Sequence, residues 1–260
     1  MREVEPAVYL ISQPLLNWDL IEMYLAQVDG EEWVDDLNIV GRGDPELLIE
    51  FAGRMCYRSW KPGLNPNVRK VRKDGYLANI LKSGHGSVLE HANFTFVFQD
   101  VSRVFTHEIV RHRAGSAFSQ ESLRFVRLEE IPFWIPDWAR EDEFLMGEIK
   151  DIIRQMENLQ SDLAEHFDLH NPKVPFSEKK AKTSFMRRLA PMGLATSITW
   201  TANVRTIRHV IEQRTAAGAE EEIRMVFGKV AAIMVRECPE LFGDFKDVGN
   251  GVWLPMHSKV

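Results

Sequence analysis

From Leu145 to Leu163 apolar side chains return every three or four residues, at Leu145, Ile149, Ile152, Met156, Leu159 and Leu163, with charged residues between. Only an amphipathic helix, with ~3.6 residues per turn, brings such positions onto one side. A helix of that length needs other elements to cover its stripe, and the sequence supplies more helices. Leu47, Leu48, Phe51 and Met55 repeat at the same spacing behind Pro45, a residue suited to a first helical turn. Residues 74–86 read as a helix stopped at Gly84, and Ser177 is placed to cap another that ends before Pro191. Residues 201–214 and the acidic-led 220–238 read as two more.

Strands are few. Residues 7–13, "AVYLISQ", form one β-rich run, and Phe94, Phe96 and Phe98 alternate in "NFTFVFQD", the period of a strand with one buried face. From Ser102 a helix is expected, with Val101, Val104, Phe105 and Ile109 in one stripe. It should end near Arg113, with Gly115 as its C-terminal cap. Residues 125–140, rich in Pro and Trp, are expected to form an irregular covering segment. The fold class that follows is α+β, a small antiparallel sheet packed among long helices, with residues 1–260 read as one domain.

The net charge of -6 argues against a chain that coats nucleic acid, so any cationic cluster is local and suited to a small anion. The first thirty residues lack the pattern of a secretion signal, and no run approaches the ~18 consecutive apolar residues of a membrane span. Cys56 and Cys238 lie too far apart in sequence for a disulfide framework or zinc motif, and each reads as a buried, inert thiol. A cytoplasmic chain without a metal is the expectation.

Some motifs fail on geometry. In "HEIVRH" the histidines stand five apart, ~140° round a helix, so His107 and His112 cannot share a metal there. "GRGDPE" lacks the third glycine and preceding strand of a dinucleotide fingerprint and reads as a turn. "HGSVLEH", residues 85–91, reads as a hydrogen-bonding cluster ahead of a strand. Two constellations remain. "RHRAGSAFSQESLR" runs from Arg111 to Arg124, and the residues alone leave an anion site and a solvated loop equally open. On "TANVRTIRHVIEQR", Arg205 and His209 fall ~40° apart on one helical face and Asn203 and Arg214 ~20° apart on the opposite one. That pattern fits a helix enclosed between subunits or ligands, or a partly exposed helix with solvated arginines.

Together these blocks resemble the flavin-dependent thymidylate synthases over roughly residues 45–245. That family carries Arg-His-Arg, a spacer of about seven residues, then Ser-x-Arg. Here Arg111, His112 and Arg113 are followed by an eight-residue spacer, Ser122 and Arg124. "HGSVLEH" matches the upstream block, and Asn203, Arg205 and Arg214 match the downstream one. The resemblance implies a homotetramer with shared sites that binds FAD and methylates carbon 5 of dUMP. Methylenetetrahydrofolate would be the carbon donor and NADPH the reductant, with no part for nucleic acid or membrane. By the same resemblance His85, Ser87, Arg111, His112, Arg113, Asn203, Arg205 and His209 are flavin-site positions. Glu108, Gln120, Glu121, Ser122, Leu123, Arg124, Arg187 and Arg214 are nucleotide-site positions, with Arg124 and Arg187 toward the phosphate and Arg214 catalytic beside the uracil. Glu108 stands where the family commonly has Gln, and His209 where Asn is common. The longer spacer leaves open a relative that methylates UMP or a modified pyrimidine nucleotide. A flavin- or nucleotide-binding module without methylation is the competing class.

Overall fold

The chain opens with β1 (Arg2–Glu3), β2 (Ala7–Ser12), α1 (Trp18–Gln27) and α2 (Glu32–Asp35). Then come α3 (Asp44–Tyr57), α4 (Tyr76–Ser83), β3 (Asn93–Ser102), α5 (Arg103–Ile109) and β4 (Ser116–Gln120). The middle holds β5 (Pro132–Phe133), α6 (Asp137–Arg140), α7 (Glu143–His166) and α8 (Phe176–Met186). The last part comprises β6 (Ala195–Asn203), α9 (Val204–Arg214), α10 (Glu221–Glu237), α11 (Pro239–Phe242), β7 (Phe245–Asp247) and β8 (Trp253–Pro255). This computed structural model describes residues 1–35, 42–60, 75–124, 130–258 and 260. Residues 125–129 of the expected covering segment, and Gly41 of "GRGDPE", lie outside the described residues.

Helices and small sheets are mixed, as the periodicities predict. Four strands form one sheet in the order β2-β3-β6-β4. Along β6, the Ser197 carbonyl accepts from Glu121 at 3.0 Å, and the Asn203 amide donates to Gly115 at 3.3 Å. One strand advances as the other retreats, so β4 and β6 are antiparallel. β7 and β8 pair antiparallel, but β1 and β5 pair parallel, with Arg2 opposite Pro132. The expected purely antiparallel arrangement therefore gains a short parallel pair.

Packing divides the chain into two compact units through which it passes more than once. The first holds Met1–Tyr9, Val97–Arg111 and Phe118–Thr199. Here α7, capped by Asp142, buries Met146, Ile153 and Gln160. Ile152 and Leu159 of the expected stripe are exposed. Leu145, Ile149 and Met156 of that stripe do pack against the core, so the buried face is centred a little beyond the expected line, toward Met146, Ile153 and Gln160, each ~100° on from a stripe position. α8 starts at Phe176 behind Pro175, placing Ser177 inside its first turn rather than at its cap.

The second unit holds Leu10–Phe96, His112–Ala117 and Trp200–Val260. Phe94 and Phe96 are fully buried. Phe96 stacks on Trp200 with ring centroids 5.8 Å apart, and Trp200 meets Phe227 edge-on. On α3, Leu47 is buried but Met55 is exposed. Its inward face instead carries Glu46, Glu50 and Arg54. The Glu50 carboxylate accepts from Arg54 and Arg42 at 2.7 Å each, and from the Trp33 indole at 3.1 Å. Cys238 is buried, whereas Cys56 is exposed at the end of α3, contrary to its expected burial. Its helix turns that position outward, and the thiol donates to the Ala52 carbonyl at 3.4 Å.

Candidate functional site

The helix from Ser102 is shorter than expected. It ends at Ile109, not near Arg113. Tertiary partners claim the backbone that would extend it: Thr206 donates to the Ala114 carbonyl at 2.9 Å, and Asn203 to that of Gly115. Gly115, at φ +64°, serves this turn instead of a helix cap, and a Cβ there would run into the Asn203 amide and Thr206 hydroxyl. Residues 116–120 are not a loop but β4, the fourth strand of the sheet.

In the first unit, β4 and its continuation open onto a cavity of about 400 Å³. Gln120, Glu121, Ser122, Leu123 and Arg187 line it, five of the residues expected at a nucleotide. Arg103, His107 and Arg188 line it too, and sequence alone does not single them out. The signal existed: Arg103 and His107 stand four apart on α5 and so share a face. The Arg103 Nη2 donates to the Glu121 carbonyl at 3.3 Å, while its buried Nε has no hydrogen-bond partner among the described residues. Burial pushes the Arg103 pKa down, as does the neighbouring charge of Arg187. The Glu121 carboxylate offsets this only partly, because it is held by the Ser197 amide at 3.0 Å and the Thr196 hydroxyl at 3.4 Å. A cavity whose described lining holds three guanidinium groups and one carboxylate, already engaged, is suited to an anion.

The remaining nucleotide-site candidates of this unit are placed differently. Arg124 does not line the cavity; its Nε donates to Ser184 on α8 at 2.9 Å, and its carbonyl accepts from Thr183. Glu108 lies in the last turn of α5, and its carbonyl accepts at 3.4 Å from the amide of Arg111, a flavin-site candidate just beyond the helix.

In the second unit, α9 organises the other candidates. Asn203 is its N-cap, and its side-chain oxygen accepts from Thr206 at 2.9 Å, so the helical-face pairing of Asn203 with Arg214 does not hold. The helix does bury an apolar face through Val204, Ile207, Val210 and Ile211. Arg205 and His209 are exposed together, one turn apart. "HGSVLEH" folds as a 3₁₀ turn, Gly86–Glu90. Arg205 reaches it, pairing with Glu90 at 2.7 Å and also donating to the Val260 carbonyl at 3.2 Å. Gly86, between His85 and Ser87, has no room for a Cβ beside the Arg205 guanidinium. Arg113 is exposed at the turn before β4.

Arg214 lies at the far end of α9, where its Nε donates to His112 Nε2 at 2.8 Å. His209 meets the His112 ring edge-on, with centroids 5.9 Å apart. Burial lowers the His112 pKa, and the charges of Arg214 and His209 add to it, taking it to about 4. Among the described residues no group of three His, Cys, Asp or Glu could hold a metal ion, and no helix is long and apolar enough to cross a membrane.

The chain is similar to known proteins over most of its length. The profile of the family described as thymidylate synthase complementing protein matches residues 39–240. A flavin-dependent thymidylate synthase of Mycobacteroides abscessus is 34% identical over 222 residues, covering 82% of this chain and 83% of the relative. One from Corynebacterium aurimucosum is 35% identical over 225 residues, covering 83% and 85%. One from Mycobacterium tuberculosis is 32% identical over 217 residues, covering 82% and 83%. The matches span both cationic constellations and most of each chain, and the protein belongs to the flavin-dependent thymidylate synthase family.

Proposed function

We propose that the protein converts dUMP to dTMP by reductive methylation of carbon 5. Methylenetetrahydrofolate gives the carbon unit, and NADPH gives the reducing equivalents through bound FAD. The observation that carries this reading is the anion cavity of the first unit, where Arg103, Arg187 and Arg188 surround a space of about 400 Å³ beside Gln120–Leu123. Its volume falls in the range of small-ligand sites, ~300–1,000 Å³, and its charge matches a nucleotide phosphate. The name borne by the relatives supports the same substrate class.

FAD, when bound, supplies hydride chemistry that no side chain offers. His85, Ser87, Arg111, His112, Arg113, Asn203, Arg205 and His209 are the residues proposed to hold it. The exposed cations Arg113 and Arg205 and the tight approach at Gly86 suit an extended anionic cofactor. The Asn203 oxygen is engaged in capping α9, which leaves its side-chain nitrogen as the group proposed to face the cofactor. Arg214 stabilises negative charge that develops on the uracil ring, a task for a fixed guanidinium and one that a mere binding module does not require. The exposure of Arg205 and His209 supports sites completed between subunits, in a homotetramer.

The test is turnover. Protein supplied with FAD, methylenetetrahydrofolate and NADPH should form dTMP from dUMP, with UMP run in parallel because of the eight-residue spacer. A folded, yellow protein that forms no methylated product from either nucleotide would leave only the binding-module reading.

A further inference from the structure

We infer that His112 is the positioning residue of Arg214, orienting the guanidinium as a neutral hydrogen-bond acceptor. The inference rests on the proposed reading only in its kinetic consequence. Arginine has donors and no acceptor, and stays protonated at any pH a protein survives. The 2.8 Å contact between Arg214 Nε and His112 Nε2 therefore requires a lone pair on Nε2, which places the imidazole proton on Nδ1. A guanidinium is planar, so a bond to Nε fixes one direction within that plane and restricts where both terminal nitrogens can lie. His112 thus limits where the charged end of Arg214 points.

The surroundings hold His112 to this task. The turn that follows it is fastened to α9 by the Thr206 hydroxyl on the Ala114 carbonyl, and to the end of β6 by the Asn203 amide on the Gly115 carbonyl. The positive φ of Gly115 lets the turn lie this close. His209 limits the ring from another side with its edge-on contact. The groups whose charge acts on His112 are Arg214 and His209, both on α9, and with burial they keep the ring neutral until the pH falls to about 4. Below that value both ring nitrogens would be donors, and the contact with Arg214 would turn repulsive.

Three variants of the full chain, loaded with flavin, test this. His112→Ala removes the acceptor. His112→Gln can place an amide oxygen near the Nε2 position, and His112→Asn is too short to do so. Two readouts are taken: the rate at which a dicarbonyl reagent modifies Arg214, followed by peptide mass spectrometry, and kcat against KM for dUMP. Loss of a hydrogen bond to a charged group should free Arg214 for several-fold faster modification and lower kcat about tenfold to a hundredfold in the Ala and Asn variants. The Gln variant should recover most of both. Equal behaviour of Gln and Asn, or Arg214 labelling unchanged in the Asn variant, would overturn the inference even if the Ala variant fails to fold. A wild type that makes no dTMP, yet shows the labelling pattern, would instead remove the proposed reaction and leave the positioning role standing.

Discussion

Arg205 and Arg208 stand three residues apart on α9 and do opposite work. Arg205 is half-exposed and pairs with an equally exposed Glu90, a contact worth ~0–1 kcal/mol. Arg208 is buried, with its two terminal nitrogens on Asp244 at 2.7 and 2.8 Å and further bonds to the Leu241 and His257 carbonyls. Nothing in the row of arginines distinguishes them, because the partner Asp244 lies far along the chain. Arg208→Ala should cost ~3–5 kcal/mol in denaturant unfolding, since it strands a buried carboxylate. Arg205→Ala should leave stability nearly unchanged and weaken flavin binding. Burial alone would push the Asp244 pKa up, but the Arg208 bonds and charge outweigh it and hold the carboxyl below its usual range. That contribution is present above the ordinary Asp pKa and is lost as pH falls through the lowered one. The thiols are a contrasting case. Burial pushes Cys238 up and away from thiolate, so Cys56→Ala and Cys238→Ala together should retain dTMP formation; a thousandfold loss in folded protein would expose a nucleophile.

Among the elements, periodic segments were legible and turns were not. The alternating phenylalanines of β3 and the glycine stop of α4 follow from local pattern, because each residue's neighbours in sequence are its structural partners. The end of α5 does not, because β6 and α9 claim the backbone beyond it. For the same reason the anion cavity was legible through Gln120–Leu123 and Arg187, whereas Arg103 and Arg188 needed the fold to bring them there. The extra spacer residue has a definite consequence. With Ser116–Gln120 in a regular strand, slack can sit only in the turn ahead of it, near Ala114 and Gly115. Deleting Ala117 would reverse the facing of every later strand residue and should abolish folding or binding. Deleting Ala114 should keep dUMP turnover and shift the ratio of dUMP to UMP; an unchanged ratio would show that spacer length does not set substrate choice. Between α3 and α11, fully buried Glu46 accepts from the Glu240 amide at 2.7 Å and that of Gly43 at 3.4 Å. Burial raises its pKa from 4.5 to about 6, with the Glu240 carboxylate adding to the shift. Its stabilising contribution is therefore complete below 4.5 and declines as pH rises through about 6. Relative to Glu46→Gln, the wild type should lose unfolding free energy on going from pH 5 to pH 7; a difference that stays constant or moves the other way would refute the shift.

At the scale of the whole molecule, exposed apolar groups speak for assembly. On α7 Ile152 and Leu159 face outward at 55% and 41% exposure, and on α8 Phe176 and Phe185 do so at 66% and 52%. Ile152 and Leu159 are two turns apart, so they form one stripe, ~100° round α7 from its buried line. A monomer would leave this surface in water, whereas contact with another copy would remove it, each such side chain contributing ~1.5–3 kcal/mol on full burial. Four copies of the 30.0 kDa chain give about 120 kDa, the mass expected by light scattering for the flavin-loaded protein. Ile152→Lys with Leu159→Lys should yield a smaller species that keeps its helical signal. If sites are shared between subunits, that species should also lose flavin, although neither substitution touches a residue proposed to bind it. A wild type that saturates with flavin as a 30.0 kDa monomer would end the shared-site proposal outright. A double variant that stays at full mass would move the interface away from α7 without removing the tetramer.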